Sequence, residues 1–433
     1  MSEFRSIIDH GKITGLQISA FLICVLMNML DGMDVMVIAY AAPALANVWS
    51  IAPGTLGTVF SAGLLGMTLG AMFLAPFADR IGRRRMIITC ILVMGFGTLL
   101  TAYTQSVGQL IFLRLISGLG IGAMLATSAT MTAEYMPEHY RNFAVSSVFA
   151  GYPLGAVLSG VVAAAIIPVY GWPSIFLVAG AGTLLTIFLV WFLLPESLEF
   201  LLKAQPAGAL IKVNRILSKM HHDELDVLPL PTGERIKRAS VSALFSGNRK
   251  VPTVWLWIAF FTSFATLYFL TSWIPKLASN TGLSMELAIY AGTVFNLGAF
   301  FGIVSQGYVS HRLGLRRVIC SFLLGTAILM GGFGFWSHPW IILLMFGLIG
   351  FGMQGGFVGL YAVAARLYPT EIRNTGIGWG IGAGRTGAIV GPKIGGTLVG
   401  MGLSMTASFI FFALPLLVAA IATLLIKTPD EIC

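Results

Sequence analysis

The chain has 433 residues, 57% of them apolar and only 10% charged, with 51 glycines and a formal net charge of +9. Soluble domains carry about 25% charged residues, so this chain cannot cover a water-facing surface. Its mean hydropathy of +0.88 excludes a soluble enzyme, a disordered tail, a collagen-like chain and a disulfide scaffold.

In chain order, the leader Met1–Lys12 carries Glu3 and Asp9 and lacks the pattern of a cleaved signal, so the first apolar run is expected to be retained. Apolar runs fall at 17–43, 54–78, 86–104, 107–133, 143–168, 173–195, 252–275, 286–310, 318–336, 340–365, 375–400 and 404–427. At about 20 residues per crossing, they predict an all-α polytopic membrane protein with twelve transmembrane helices. Glycines in such surroundings suit close helix packing in a bilayer. Cys24, Cys90, Cys320 and Cys433 show neither CxxC pairing nor metal spacing; they read as small apolar fillers and one terminal thiol, and no metal or cofactor is expected.

Of the 26 Lys and Arg, all but Arg114, Lys276, Arg385 and Lys393 lie at the termini or in the even-numbered loops. By the positive-inside rule both termini and the long loop are cytoplasmic, which fits a multi-pass protein of a bacterial inner membrane. The positive charge is therefore an orientation signal, and no nucleic-acid partner is expected. The one long polar stretch, 196–251, reads as a cytoplasmic linker with an amphipathic segment near Leu201–Met220. It separates an N-terminal six-helix bundle, 1–195, from a C-terminal one, 252–433.

The halves repeat. Ala75-Pro-Phe-Ala-Asp79-Arg80-Ile-Gly82-Arg83-Arg84 aligns with Gly307-Tyr-Val-Ser-His311-Arg312-Leu-Gly314-Leu-Arg316 at an offset of 232, and Tyr135-Met-Pro137 through Asn142 aligns with Leu367-Tyr-Pro369 through Asn374 at the same offset. Duplicated six-helix units are the architecture of a rocking transporter with its substrate site between the halves.

Ionisable groups inside the runs each need a reason, since a charge at mid-membrane costs ~2.5–3.5 kcal/mol even on the lenient scale. The acids are Asp31 and Asp34, with Glu134 near a cytoplasmic end; the bases are Arg114, Arg385 and Lys393. All six histidines fall in or beside loops, leaving none for a proton relay. Asp31 and Asp34, at i and i+3, share one helix face, and Asp34 and Arg114 lie at similar depth, so a contact between them is geometrically reasonable. Two carboxylates in one low-dielectric site hold a proton between them, as a proton carrier must; the competing reading is a buried ion pair that pins two helices. In the second half the buried charges are positive only, which points to an anionic substrate. Arg385 lies near mid-membrane. Lys393, two turns outward, either meets a second polar group of the substrate or snorkels to the interface. Tyr268, Trp273, Phe295, Tyr361 and Trp379 either pack or stack a substrate ring, with Asn296 and Gln354 available for polar work.

The sequence resembles the major facilitator superfamily over essentially its whole length. Asp79-Arg80-Ile81-Gly82-Arg83-Arg84 matches the loop motif between the second and third spans, Arg114-Leu-Ile-Ser-Gly118-Leu-Gly120-Ile-Gly122 the fourth-span motif, and Pro195-Glu196-Ser197 the end of the sixth span. The resemblance implies a cytoplasmic latch of Asp79, Arg83 and Glu134, with Arg80, Arg312 and Arg316 as further gating residues. Ala75 and His311 depart from the motif, so the second latch is expected to be weaker; the bare alternative is that these arginines only set topology. Asp31-Gly32-Met33-Asp34 is similar to the first-span element of the aromatic acid:proton symporters, as are Ala42-Pro43-Ala44-Leu45 and the stretch from Gly384 to Pro392. That branch implies a symporter that imports a small aromatic carboxylate with protons, Asp31 and Asp34 carrying or gating the proton and Arg114 and Glu134 required for coupling. A monomer is expected, and no enzyme, since no nucleophile–base pair or metal-ligand cluster appears in the spans or loops. A symporter of sugar acids or dicarboxylates is the alternative. A drug:proton antiporter is disfavoured by Gly151-Tyr-Pro-Leu-Gly155 in the fifth span and by the surplus of buried positive charge.

Overall fold

The computed structural model describes residues 13–220, 222–229, 241–246, 249–336 and 338–426. The leader, His221, positions 230–240 of the linker, Lys427 and Cys433 lie outside the described residues. Twelve long helices are present among them: α1 (Gly15–Trp49), α2 (Pro53–Ile81), α3 (Arg83–Thr101), α4 (Val107–Tyr135), α5 (Glu138–Tyr170), α6 (Pro173–Leu193), α7 (Lys250–Asn280), α8 (Met285–Leu313), α9 (Leu315–Gly331), α10 (Pro339–Leu367), α11 (Thr370–Gly400) and α12 (Met405–Leu425). Ten are long and apolar enough to cross a bilayer. The other two are α9, with 17 residues, and α11, which is glycine-rich and carries Arg385 and Lys393. Helix is the form that satisfies every backbone group within one segment in hydrocarbon.

Helix ends follow side-chain chemistry. Ser106, Ser284 and Ser404 cap α4, α8 and α12 by accepting from the amide three residues on. Gly82 and Gly314 separate α2 from α3 and α8 from α9 with φ of 101° and 89°, a conformation that favours glycine. Pro76 lacks an amide to continue α2, and the helix absorbs it by a π turn over Gly70–Leu74 and a 3-10 turn over Ala75–Phe77. The start of α5 at Glu138 and that of α11 at Thr370 precede the apolar runs, because a polar first turn can be helical outside hydrocarbon.

By contact the chain forms two compact units. The first comprises Met1–Val35, Leu65–Gly155 and Phe176–Ile236; the second comprises Met36–Leu64, Ala156–Ile175 and Lys237–Cys433. This grouping cuts across the sequence halves, because the ends of α1, α2 and α5 remote from the N-terminus pack on α7, α8 and α11 within the second unit. There the Tyr40 hydroxyl donates to the Ala156 carbonyl at 2.9 Å, and Ser61 donates to the Ile389 carbonyl at 2.6 Å.

The repeat is legible in three dimensions. In the first unit, a Cβ added to Gly155 would lie 1.8 Å from the Met29 carbonyl oxygen, and one added to Gly66 would lie 2.2 Å from that of Leu115. In the second, the pairs displaced by 232 do the same: Gly387 against Phe261 at 2.1 Å and Gly298 against Gly347 at 1.9 Å. Helix α1 thus meets α5 and α2 meets α4 backbone to backbone, as do α7 with α11 and α8 with α10. Between helices in lipid, such close approach supplies the dispersion and weak polar contacts that water expulsion supplies elsewhere. The linker helices Leu198–Ala204 and Ala209–Lys219 belong to the first unit, burying Leu201, Val213 and Leu217.

Candidate functional site

In the first unit α1 and α4 run antiparallel along a polar seam. Gln17 Nε2 donates to the Tyr135 carbonyl at 2.8 Å, and Asn28 Nδ2 donates to Ser128 Oγ at 3.2 Å. Further along lie Asp31 and Asp34, each 1% exposed, and Arg114, 2% exposed. Arg114 Nη1 stands 3.6 Å from Asp34 Oδ2. The other Asp34 oxygen accepts from the Thr98 hydroxyl. Arg114 Nη2 donates to Thr101 Oγ1 at 3.0 Å and to Thr98 Oγ1 at 3.4 Å, and the guanidinium lies 5.3 Å from the centre of the Phe176 ring. Asp34 is therefore held by charge and hydrogen bond; neither oxygen of Asp31 has a hydrogen-bond partner. Gly32, between them, is where α5 comes closest: a Cβ there would lie 2.0 Å from the Tyr152 carbonyl oxygen. Sequence reasoning missed Thr98 and Thr101, although two hydroxyls at i and i+3 in an apolar run were the available signal.

At the end of the first unit near the N-terminus, Arg83 lies between two acids, with Nη2 2.7 Å from Asp79 Oδ1 and Nε 3.2 Å from Glu134 Oε1. Glu134 Oε2 accepts from Ser197 Oγ, while Glu196 Oε1 accepts from the amides of Arg84 at 3.0 Å and Ser197 at 2.9 Å. The Pro-Glu-Ser segment after α6 thus closes the cluster, a role not read from the sequence. Only Asp79 is exposed here, its side chain 73% accessible against 6% for Glu134. Glu134→Ala is accordingly expected to destabilise the protein by about 3 kcal/mol, since it strips a mostly buried guanidinium of its buried partner. Asp79→Asn should cost less than about 1 kcal/mol. Thermal unfolding of the purified variants measures both, and equal losses would contradict this ranking.

The second copy of the motif is built differently. Positions displaced by 232 from Asp79, Arg83 and Glu134 are His311, Leu315 and Arg366, a set without a carboxylate. Arg312 lies over the Tyr308 ring at 4.8 Å, just as Arg80 lies over Phe77 at 5.6 Å. Arg316 donates to the Ile426 carbonyl.

In the second unit Arg385 sits at the midpoint of α11, half-buried and without a carboxylate partner among the described residues. Tyr268 of α7 and Tyr361 of α10 lie near it. Phe260, Phe264 and Tyr268 form an i, i+4, i+8 stripe on α7. The Phe264 and Tyr268 rings are parallel at 6.0 Å, Phe264 meets Phe357 edge-on at 4.7 Å, and Tyr361 meets Phe260 at 5.3 Å and Phe357 at 5.5 Å. Gly384, beside Arg385, leaves the space that Phe264 fills, since a Cβ there would lie 2.3 Å from the ring. One cation, two phenols and three phenylalanines are thereby gathered around one helix midpoint. Gln354 shares the α10 face of Phe357 and Tyr361 at i+3 and i+7.

The remaining candidates have other neighbours, and Asn296 Oδ1 has no hydrogen-bond partner. Trp273 is fully buried, its indole donating to the Pro392 carbonyl at 2.9 Å and meeting Phe60 edge-on. Phe295 is buried where Gly350 packs on its backbone, and Asn296, also fully buried, donates to the Gly292 carbonyl at 2.9 Å. Trp379 is 48% exposed and stacked on Trp257 at 6.1 Å. Lys393 is exposed, and its ammonium donates to Thr58 Oγ1 at 2.5 Å and the Gly54 carbonyl at 3.2 Å. It ties α11 to the start of α2 and does not join the Arg385 cluster.

A membrane fold of two repeated six-helix halves with charged groups buried at mid-span defines a transporter rather than an enzyme. The Major Facilitator Superfamily pattern matches residues 24–310 and 278–432, and the chain belongs to that superfamily. It is 32% identical to the 4-hydroxybenzoate transporter PcaK of Pseudomonas aeruginosa, over 98% of this chain and 95% of that one. It is also 32% identical to a gallate transporter of Pseudomonas putida, over 98% and 94%. Among solved structures, the partially occluded inward-open xylose transporter XylE from E. coli superposes with a TM-score of 0.74 at 17% identity, covering 96% of this chain and 99% of that one. That likeness is one of fold.

Proposed function

We propose that this protein imports a small aromatic carboxylate together with protons across a bacterial cytoplasmic membrane, by alternating access. The observation that carries the substrate class is Arg385: a half-buried cation without a carboxylate partner among the described residues, near Tyr268, Tyr361 and a set of aromatic rings. The substrate carboxylate supplies the missing negative charge, Tyr268 and Tyr361 donate hydrogen bonds to it, and the ring rests on Phe264 or Phe357. The names of the relatives, transporters of 4-hydroxybenzoate and gallate, support the same class.

Proton coupling is assigned to Asp31 and Asp34 with Arg114. Facing outward, the pair gains a proton as the anion binds; after the halves rock, both are released to the cytoplasm. The Asp79–Arg83–Glu134–Ser197 chain serves as the cytoplasmic latch, broken and remade in each cycle. The even-loop cations support a cytoplasmic position for this latch and both termini.

The test is uptake into proteoliposomes under an acid-outside gradient, with benzoate, 4-hydroxybenzoate, gallate and non-aromatic acids as the panel. Arg385→Ala is expected to weaken uptake of the preferred aromatic acid by about 100-fold, as for loss of a charge-assisted pair. Tyr268→Phe and Tyr361→Phe should each weaken it about 3- to 10-fold. Uptake confined to non-aromatic acids, or full activity in Arg385→Ala, would overturn the substrate assignment.

A further inference from the structure

We propose that Asn28 is a positioning residue for the transported proton: its side-chain carbonyl accepts the hydrogen bond of protonated Asp31 and so sets how acid the outside must be for uptake. The proposal rests on the proton-coupled reading above and goes beyond it by separating the roles of the two aspartates and adding a residue outside the aspartate motif.

Three observations carry it. Asn28 is fully buried, and its Oδ1 has no hydrogen-bond partner. In the structure the amide is oriented with Nδ2 donating to Ser128 Oγ at 3.2 Å, while Ser128 Oγ lies 3.2 Å from the Leu125 carbonyl as its own acceptor. That leaves Oδ1 as the unused end. Asp31 follows three residues later on the same helix face, about one turn away, with both carboxyl oxygens buried and without a donor. Asp34 is not equivalent, for its Oδ1 accepts from the Thr98 hydroxyl and its Oδ2 faces the Arg114 guanidinium at 3.6 Å as an ion pair.

Two neighbouring acceptors with no donor are an unfavourable arrangement in a low-dielectric interior. One proton resolves it. Bound to an Asp31 oxygen, it turns that oxygen into a donor, and Asn28 Oδ1 is an unused acceptor one turn away on the same face. The proton arrives from outside water and leaves to cytoplasmic water, and no other bond is made or broken. The other titratable or charged groups around Asp31 are Asp34 on α1, Cys90 on α3, Arg114 on α4 by way of Asp34, and Tyr152 on α5, whose backbone packs against Gly32. None of these is hydrogen-bonded to either Asp31 oxygen, and Asn28 lies one helical turn before it on the same face.

The experiment compares wild type, Asn28→Leu, Asn28→Ala and Asn28→Gln in proteoliposomes. Two readouts are taken: the external pH giving half-maximal 4-hydroxybenzoate uptake, and 4-hydroxybenzoate counterflow at equal pH on both sides, which needs binding and rocking without net proton movement. With the acceptor gone, Asp31 holds its proton less well. The Leu and Ala variants are expected to shift half-maximal uptake by about one pH unit to the acid side, with counterflow within about two-fold of wild type. The Gln variant, which keeps an amide carbonyl, should lie closer to wild type. Superimposable Leu, Ala and wild-type profiles would overturn the proposal while leaving the symporter reading intact. Loss of counterflow in both Leu and Ala would also overturn it, by marking Asn28 as a packing residue. A wild-type profile indifferent to the gradient would bring down proton coupling itself.

Discussion

Arg114→Leu is expected to lower gradient-driven uptake at least about 100-fold. The guanidinium is 2% exposed and serves four neighbours at once: Asp34, Thr98, Thr101 and the Phe176 ring. Deleting it leaves the Asp34 charge with the Thr98 hydroxyl as its remaining support, and removing one member of a buried pair costs about 3–5 kcal/mol. Arg114→Lys should not restore transport, because a single ammonium cannot reach the carboxylate and both threonine hydroxyls in the planar fork geometry. Thr98→Val should fall between, losing about 1–2 kcal/mol through one missing donor. Uptake of labelled 4-hydroxybenzoate with and without a pH gradient, together with counterflow, measures these effects. Retained gradient-driven uptake in Arg114→Leu would sink the assignment of Arg114 to coupling.

Gly32→Leu should yield no folded transporter, and Gly32→Ala should lower stability by about 3 kcal/mol or more. The neighbour a Cβ would meet, 2.0 Å away, is the Tyr152 backbone carbonyl. A backbone cannot rotate aside as a flexible side chain can, so α1 and α5 must separate. Asp31 and Asp34 flank this contact, so a surviving Ala variant is expected to lose coupling as well. Gly182→Ala on α6 is the matched control, since a Cβ there meets nothing within 4 Å and alanine favours helix by about 1 kcal/mol. Monodispersity and thermal unfolding in detergent decide the matter; an unperturbed Gly32→Ala would refute the claimed closeness of the two helices.

What could be read before any coordinates was whatever depends on position along an axis. Span limits followed from hydropathy, and the approach of Asp34 to Arg114 followed from equal depth in two helices. The 232-residue offset, found from two short motifs, recurs in glycine contacts that the motifs do not include. Rotation about an axis was harder to read. Arg385 and Lys393 are two turns apart on α11, yet one lies among rings and the other reaches Thr58, because Gly384 admits Phe264 beside the first while α2 packs beside the second. Trp273 and Tyr268, five residues apart on α7, point to different neighbours for the same reason. The role of Asn28 was out of reach altogether, since an unused acceptor is a property of where the donors happen to be.

The glycine contacts also carry a mechanical consequence. Where the carbonyl of one helix occupies the space a methyl group would take on the other, sliding the pair by one residue, about 1.5 Å, brings a side chain into that space and is sterically blocked. Pivoting about the contact point is not. The pairs α1/α5, α2/α4, α7/α11 and α8/α10 are therefore free to swivel and unable to shear, and each behaves as a pinned joint rather than a sliding bearing. Movement during turnover must then be taken up as changes of crossing angle at these pins and as bending at weak points along single helices, of which the π turn of α2 at Gly70–Leu74 is one.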